Sequence, residues 1–216
     1  MTAVREKIRD RYAEGGLSRL AESFCNSIRK LFSTYVYFNR KARVLAWSLT
    51  DPIPEVEPPT VDIEIRELRS EEIEHFKDII RKEKAILWQR RLEEGKVALV
   101  AWHKGEVAWF GWVSVEFEHE PVFDVELKLK SDEGYLLDAY TRPEYRGSGL
   151  HTYMSVKRLQ KLKEMGGRRA FGIAAKKNVA SRKAHQRGGA VEVKEISHIN
   201  IFGIKFHLWK DLKPEE

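Results

Sequence analysis

Residues 135–154, YLLDAYTRPEYRGSGLHTYM, constrain the fold most, because two glycines there join an apolar strand directly to a helix. The strand is predicted at YLLDAY and ends before Pro143, which has no backbone N–H to donate to a neighbouring strand. The helix is predicted from Leu150 to Met165 and is followed by a Gly-Gly pair. A strand that leads directly into a helix predicts a sheet with helices packed on its faces.

The loop between them, Arg146-Gly147-Ser148-Gly149, has the composition of an anion-binding turn. Glycine adopts backbone angles that let consecutive N–H groups point into one concavity. The N-terminal end of the next helix adds a partial positive charge, and Arg146 adds a full one. These features favour a phosphate or pyrophosphate group as the ligand. From the loop alone, a plain strand–helix turn that uses glycine only for its geometry is an equal alternative.

Apolar patterning on either side of this loop predicts an α/β protein with one mixed sheet and helices on both of its faces. Helical periodicity predicts helices at 70–94, as one element or two, at 150–165 and at 178–187. Strands are predicted at 61–66, 97–102, 107–117, 122–129, 135–140, 169–175, 190–197 and 199–208. The series begins as an antiparallel meander and ends with a β-α-β unit and a hairpin. That order indicates a sheet with both strand directions.

The first 50 residues differ from the rest of the chain in charge. Residues 1–49 carry ten Lys or Arg and four Asp or Glu, which accounts for the whole net charge of +6. A helix is predicted at 3–14, and an apolar stripe predicts an amphipathic helix at 17–35. The pattern of residues 35–49 fits either a strand or an extended arm. Four prolines in DPIPEVEPPT predict a stiff linker. We therefore expect a basic amphipathic arm at 1–50, a linker at 51–60 and a folded domain at 61–210.

The segment from Pro143 to Leu150 resembles the acetyl-CoA pyrophosphate loop of the GNAT acyltransferases, whose pattern is Arg/Gln-x-x-Gly-x-Gly/Ala. Arg146 fills the first position and Gly149 the fourth, whereas His151 stands where Gly or Ala is usual. The second signature of the family is an Asn, a small residue three positions later and a Gly about ten positions later. Residues Asn178, Ser181 and Gly188 fit this pattern, and the resemblance covers residues 61–208 in the right order.

This resemblance implies how a cofactor, acetyl-CoA, is bound. N–H groups of the loop would hold the pyrophosphate, and the end of the preceding strand would pair with the pantetheine arm. One N–H there would polarise the thioester carbonyl. The short helix after Asn178 would contact the cofactor as well. The residues assigned to the cofactor in this way are Ala139, Tyr140, Thr141, Arg146, Gly147, Ser148, Gly149, Leu150, His151, Asn178 and Ser181.

Proton transfer has three candidate residues. The attacking amine must be neutral, so Asp138 in the strand, or Glu133 just before it, would act as the base. For Asp138 an equal alternative is a structural ion pair with nearby arginines. For Glu133 the composition of the SDEG turn favours a solvated turn residue over a base. Many members of the family donate a proton to the leaving thiolate from a Tyr seven residues after the Asn. In this chain that position is His185, which would be either the acid or a packed helix residue.

The resemblance implies an acetyl-CoA-dependent N-acetyltransferase that acts on a primary amine of a small molecule by direct attack in a ternary complex. A protein acetyltransferase and a non-catalytic CoA-binding module are the alternatives. The basic arm has three possible roles: docking on its own domain, homodimerisation and peripheral membrane contact. No specific nucleic acid is expected as a partner. Trp102, Trp109 and Trp112 are expected in the core rather than in an acceptor pocket, and Lys157 and Arg158 on a solvated helix face.

Other classes are excluded by composition. The single cysteine, Cys25, rules out a disulfide framework and a zinc cluster, and it is expected to pack within a helix. The seven histidines lack ligand spacing, so no metal site is expected. We find no signal peptide and no apolar stretch of the roughly 18 residues that a membrane span needs. The predicted location is the cytoplasm, with contact to the inner face of a membrane left open for the arm.

Overall fold

The structure, a computed structural model, describes residues 36–115, 118–120 and 123–212, together with Glu22, Cys25 and Asn26. The α-helices in this part of the chain are α1 (Lys82–Glu93), α2 (Leu150–Glu164) and α3 (Val179–Arg187), and short 3₁₀ helices span Ser70–Phe76 and Pro143–Tyr145. The strands are β1 (Tyr37–Ser48), β2 (Glu64–Glu67), β3 (Val97–His103), β4 (Glu106–Ser114), β5 (Glu118–Glu120), β6 (Val125–Leu127), β7 (Glu133–Thr141), β8 (Arg169–Ala175), β9 (Val191–Ile201) and β10 (Ile204–Asp211).

One mixed sheet organises these elements, with the strand order β10-β9-β1-β8-β7-β4-β3-β2. Strands β2, β3, β4 and β7 pair antiparallel in succession, β7 pairs parallel with β8, and β8 pairs antiparallel with β1. The parallel pair is connected through α2, as a β-α-β unit requires. β5 and β6 form a separate two-stranded antiparallel sheet. The predicted mixed α/β sheet is confirmed.

The two faces of the sheet carry different helices, because side chains alternate across each strand. Phe110 and Trp112 of β4 contact Trp88 of α1, with ring centroids 4.7 Å and 5.5 Å apart. Trp109 belongs to a cluster on the other face that includes Met154 of α2. All three tryptophans of the β3–β4 hairpin are buried. The prediction that they form core is therefore confirmed, and helices cover both faces as expected.

The chain divides into two compact units, of which the larger comprises Lys41–Ile196 and Trp209–Glu216. This unit contains the three α-helices. The smaller unit comprises Met1–Arg40 and Ser197–Leu208. Within it, the ring of Phe38 stacks on His198 with centroids 4.9 Å apart, and the N–H of Phe202 donates to the carbonyl of Val36 at 2.7 Å.

Residues 35–49, which the sequence left open between a strand and an extended arm, form β1 from Tyr37 onward. β1 pairs with β8 from Ala42↔Ala175 to Ser48↔Arg169, and most of its side chains from Ala42 onward are buried. The division of the chain at residues 50 and 60 stays a prediction. The helices predicted at 3–14 and 17–35 lie outside the described residues, apart from Glu22, Cys25 and Asn26. These three are helical and exposed, so the expectation that Cys25 packs is wrong.

Two further segments differ from the sequence-based expectation. The proline-rich residues 51–60 have neither helix nor strand, as predicted, but they pack on the domain: Ile53 contacts a core cluster, and the N–H of Thr60 donates to the carbonyl of Ser148 at 3.0 Å. The turn of the last hairpin lies at Phe202-Gly203 rather than near residue 198, because these two residues adopt positive φ angles. No helix in the described part of the chain has the length and hydropathy needed to cross a membrane.

Candidate functional site

β7 and β8 separate at one end, and the slot between them is the first element of the site. Their parallel pairing runs from Glu133↔Arg169 to Leu136↔Gly172 and then stops. β7 nevertheless continues to Thr141 and β8 to Ala175. On its other side β7 stays paired with β4. In the described sheet, the slot-facing backbone groups of the last five β7 residues therefore have no strand partner, and they are placed to pair with an extended ligand.

A β-bulge lies in β7 where the slot opens. Phe110 of β4 is opposite Tyr140 and Trp112 is opposite Leu137, so Asp138 and Ala139 together face Gly111 alone. Asp138 has a φ of +52°, in the left-handed region that side chains rarely adopt, although Asp tolerates it better than most residues. A bulge of this kind redirects the backbone beyond it. It therefore sets the direction of the N–H groups from Ala139 onward.

The carboxylate of Asp138 is anchored by three donors from one face of α1. Lys84 Nζ lies 2.5 Å from Oδ1, and Trp88 Nε1 donates to Oδ2 at 3.1 Å. Arg91 Nη1 lies 3.4 Å from Oδ2. The spacing i, i+4, i+7 places the three donors on one side of the helix. The side chain of Asp138 is only 22% exposed. These contacts fix the strained residue from the α1 face of the sheet.

Arg158 of α2 fixes the bulge from the opposite face. The residue is 1% exposed, and its Nη1 donates to the carbonyl oxygens of Trp112 and Leu137, each at 3.3 Å. These carbonyls flank the bulge on the two paired strands. Burial lowers the pKa of the Arg158 guanidinium to about 9, while the nearby Tyr135 and Asp138 act to raise it. The group is therefore still charged at neutral pH.

The glycine loop before α2 presents N–H groups that have no backbone partner among the described residues. Gly147 and Gly149 have φ angles of +84° and +81°, and no side chain in the described part of the chain caps the start of α2. The N–H groups from Gly147 to Leu150 have no backbone acceptor in the described part of the chain. A Cβ atom at Gly147 would meet nothing within 4 Å, and one at Gly149 only the Cα of Pro59 at 3.9 Å. This arrangement fits a pyrophosphate group.

The loop is tied to its surroundings on two sides. Arg146 Nε donates to the carbonyl of Thr141 at 3.3 Å, which links the loop to the free end of β7. The hydroxyl of Ser148 donates to the carbonyl of Tyr145 at 2.7 Å, and the carbonyl of Ser148 accepts the N–H of Thr60. The slot and the glycine loop are therefore adjacent.

The rings of His151, in the first turn of α2, and His185, in α3, have their centroids 5.2 Å apart. Burial and then the charge of Arg158 lower the pKa of His151 to about 4. Burial, followed by His151 and Arg158, lowers the pKa of His185 well below its usual value. Trp109 Nε1 donates to His151 Nδ1 at 3.1 Å, so the ring proton of His151 is on Nε2. Both rings are neutral at pH 7.

The profile of the acetyltransferase (GNAT) family matches residues 61–189, which is more than half of the chain. The chain belongs to this family. No protein among the curated sequences matches it. The matched region begins after β1 and ends before β9, and it includes the slot, the bulge and the loop.

Solved structures share the fold of this GNAT protein at low sequence identity. A GCN5-related N-acetyltransferase from Sphaerobacter thermophilus has 15% identity and a TM-score of 0.57, over 87% of this chain and 58% of its own. An acetyltransferase of the GNAT family from Colwellia psychrerythraea has 13% identity and a TM-score of 0.56, over 84% of this chain and 61% of its own. This chain thus spans about three fifths of the length of these solved chains.

The residues predicted to bind the cofactor come together in this GNAT domain. Arg146 to His151 form the loop and the first turn of α2, and Ala139 to Thr141 form the free end of β7 beside it. Asn178 follows the free end of β8, and its Oδ1 caps α3 by accepting the N–H of Ser181 at 3.2 Å. Because β7 and β8 are parallel, these residues lie at the same edge of the sheet.

Glu133 lies at the opposite end of β7 from the slot. It is the first residue of β7, at the paired end, eight residues before Thr141 and thus about 25 Å from the far end of the strand. The residue is 6% exposed. Its Oε1 lies 3.5 Å from Arg169 Nη1, and its Oε2 accepts the backbone N–H of Lys130. The expectation of a solvated turn residue is therefore wrong, and this position gives no support to Glu133 as a base at the slot.

Sequence reasoning missed Arg158 and the α1 donors. The prediction that Arg158 lies on a solvated face is wrong, because it is four residues from both Met154 and Leu162 on the buried side of α2. This four-residue spacing from two apolar residues was the feature of the sequence that could have predicted its burial. Lys84 and Arg91 gave no signal, since their partner is 47 or more residues away in sequence. No cluster of three or more His, Cys, Asp or Glu among the described residues is arranged to hold a metal ion.

Proposed function

We propose that the chain transfers an acetyl group from acetyl-CoA to a primary amine of a small molecule, by direct attack in a ternary complex. The observation that carries this proposal is the slot between β7 and β8 beside a loop of unpaired N–H groups. The slot suits an extended, hydrogen-bonding arm, and the loop suits a diphosphate. Coenzyme A joins these two groups in one molecule, and the GNAT family uses its acetyl thioester.

The binding residues follow from this arrangement. N–H groups of Gly147 to Leu150, with the charge of Arg146, hold the pyrophosphate. The free edge of β7 from Ala139 to Thr141 pairs with the pantetheine arm. The Asn178 amide and the Ser181 hydroxyl, at the end of β8, approach the same molecule from the other side of the slot. The adjacency of these residues at one sheet edge supports the assignment.

The chemical contribution of the chain is positioning and carbonyl polarisation. When bound, acetyl-CoA supplies an activated acyl group that a neutral amine can attack. An N–H from the strand end after the bulge donates to the carbonyl oxygen, where negative charge develops during attack. The bulge is held by Asp138 on one face and Arg158 on the other, so this donor is oriented before the substrate arrives.

For Asp138, the contacts favour the positioning role over that of a base. Its oxygens already accept from Lys84, Trp88 and Arg91, and proton transfer to the carboxylate would weaken two ion pairs. For His185, the contacts favour packing over the role of proton donor. Its lowered pKa keeps the ring neutral, and a neutral imidazole is a weak acid. Glu133 remains a sequence-based candidate for the base, without support from its position.

Gly149→Ile tests the cofactor assignment. The substitution puts a branched side chain at φ +81°, where the backbone must approach a phosphate, and it should raise the Kd for CoA at least about tenfold. Gly166→Ile is the matched control: Gly166 has a φ of +90°, lies just after the other end of α2, and a Cβ atom there would meet nothing within 4 Å. Both variants should lose similar thermal stability. Unchanged CoA affinity by calorimetry in folded Gly149→Ile protein would contradict the proposal.

Turnover is measured separately. Release of CoA with a panel of small primary amines, compared with a panel of peptides bearing lysine or a free N-terminus, identifies the acceptor class. CoA binding without turnover on any acceptor would indicate a non-catalytic CoA-binding module and would contradict the proposed acetyl transfer. Mass spectrometry of any acyl-CoA that co-purifies tests whether the donor is acetyl.

A further inference from the structure

The proline-rich segment after β1 packs on the domain near both ends of α2. We name residues 53–60 the strap. At its start, Ile53 packs on the core cluster that includes Leu162, near the C-terminal end of α2. At its end, Pro59 lies beside Gly149, where a Cβ atom would be 3.9 Å from the Cα of Pro59. The strap therefore runs beside α2 in the direction opposite to that of the helix.

The strap has the length and the stiffness that this path requires. Thr60 is seven residues beyond Ile53, which is a span of about 22 Å for an extended chain at roughly 3.1 Å per residue. The 15 residues of α2 also have a length of about 22 Å. Proline fixes its own φ angle and restricts the residue before it, and three of the strap's eight residues are proline. The strap therefore has little slack.

A glycine at the end of α3 makes room for the strap. Gly189 has a φ of +87°, and a Cβ atom there would lie 2.9 Å from Cγ of Pro54. That distance is well inside the optimal separation of two carbon atoms, and a proline ring cannot rotate out of the way. A larger residue at position 189 would therefore displace the strap.

The end of the strap is bonded to the glycine loop. The N–H of Thr60 donates to the carbonyl of Ser148 at 3.0 Å. Two residues later, the carbonyl oxygen of Asp62 lies 2.7 Å from His103 Nδ1, and the ring of His103 contacts that of Tyr145 with centroids 5.6 Å apart. Both contacts hold the loop from a segment more than 80 residues earlier in the chain.

We propose that the strap is a positioning element for the cofactor, which keeps the glycine loop in the conformation that receives the pyrophosphate of CoA. This inference rests on the proposed binding of CoA by that loop. When a loop samples several conformations, its affinity falls in proportion to the fraction of time it spends in the competent one. A stiff segment fixed at α2, at α3 and at the loop restricts this sampling before the ligand arrives.

Pro58→Gly tests the part of the strap that leads to the loop. Glycine removes the restriction on φ, so the Kd of the full chain for CoA should rise at least about threefold by calorimetry. The KM for acetyl-CoA should rise with it, whereas kcat should stay within about twofold of the wild type. A loss of folded protein would lower kcat instead. Pro52→Gly is the matched control, because Pro52 is also exposed but precedes the strap. It should keep the CoA affinity of the wild type.

Gly189→Ala displaces the strap from α3 and leaves the sequence of the strap intact. It should also raise the Kd for CoA at least about threefold. Gly95→Ala is its matched control, because Gly95 follows the end of α1 with a φ of +78°, and a Cβ atom there would meet nothing within 4 Å. The two variants carry similar backbone strain, and the control should bind CoA as the wild type does.

Hydrogen exchange without ligand measures the loop directly. Amides of residues 147–150 should exchange faster in Pro58→Gly and Gly189→Ala than in the wild type and the controls, and support requires both this result and the loss of affinity. Unchanged CoA affinity in both folded strap variants would overturn the proposal, even if the loop exchanges faster, and so would unchanged exchange. A wild-type protein that fails to bind CoA would overturn the cofactor assignment and this inference with it. A failure of the strap alone leaves wild-type CoA binding intact, so the two failures are distinguishable.

Discussion

Replacing Asp138 by Asn and by Ala distinguishes a positioning residue from a base. Asn keeps an acceptor oxygen and adopts the left-handed region readily, so the bulge at φ +52° can persist. The substitution removes the charge that faces Lys84 and Arg91 and turns one acceptor into a donor. Loss of these partly buried contacts should lower the free energy of unfolding by about 1–3 kcal/mol. Ala loses the same contacts and adds roughly 1–2 kcal/mol of backbone strain.

The two roles predict different rankings of kcat among the wild type and the Asn and Ala variants. If Asp138 holds the bulge, Asn should keep kcat within about tenfold of wild type, whereas Ala should fall well below Asn because the N–H groups beyond the bulge move. If Asp138 is the base, both variants should lose about 10²–10⁴ in kcat, the usual scale for such a group. The affinity of the Asn variant for CoA should be unchanged under either role, because the bulge persists and the loop is not touched.

The assay follows CoA release with a thiol reagent across pH 5.5–9, with calorimetry for CoA affinity and thermal melts for folding. An Asp138→Asn protein that is folded at the assay temperature and keeps the CoA affinity of the wild type, but has a kcat lowered a hundredfold and no acidic limb in its pH–rate profile, would refute the positioning role. The carboxylate would then be the base.

Four further outcomes are expected. His185→Phe should change kcat less than about tenfold, since the ring is neutral and packed against Trp47; a hundredfold loss would restore His185 as the proton donor. The wild-type protein should lose stability as the pH falls from about 6.5 toward 4, because the buried histidines bind protons more readily in the unfolded chain; urea unfolding of His185→Phe should show a shallower loss, and an equal one would contradict this. Arg158→Met should cost about 1–3 kcal/mol and lower kcat more than CoA affinity, whereas an unchanged kcat would show that the bulge does not need it. Deletion of residues 1–50 should yield insoluble protein because it removes β1 from the sheet, and a folded, soluble product would contradict the place of β1.

The sequence predicted those parts of the site that are local in the chain. The loop from Arg146 to Gly149 could be predicted because two glycines at a strand–helix junction specify its backbone conformation over a few residues. The alternation in β3 and β4 and the periodicity of α2 likewise follow from neighbouring residues, so the mixed sheet and its buried tryptophans were predictable.

Other features depend on partners that are distant in sequence. The sequence offered an ion pair with arginines as one of two roles for Asp138. Its φ angle and its partners on α1 could not be predicted, because they arise only when α1 packs on the sheet, about 50 residues away in sequence. The slot itself is an interruption of pairing between β7 and β8, and nothing in either strand's own pattern shows where their pairing stops.

Residues 37–48 show the same division between local and tertiary information. Their apolar content made a strand one of two alternatives, since such content is compatible with burial on a sheet or with an extended arm. Only the position of β1 between β9 and β8 decided for the strand, because pairing partners for its backbone are supplied by segments more than 120 residues later. The sequence thus determined the helices, the strands other than β1 and the glycine loop, whose backbone preferences are short-range. The tertiary structure decided the slot, the anchored bulge and the buried charge of Arg158, because each requires groups that folding brings together.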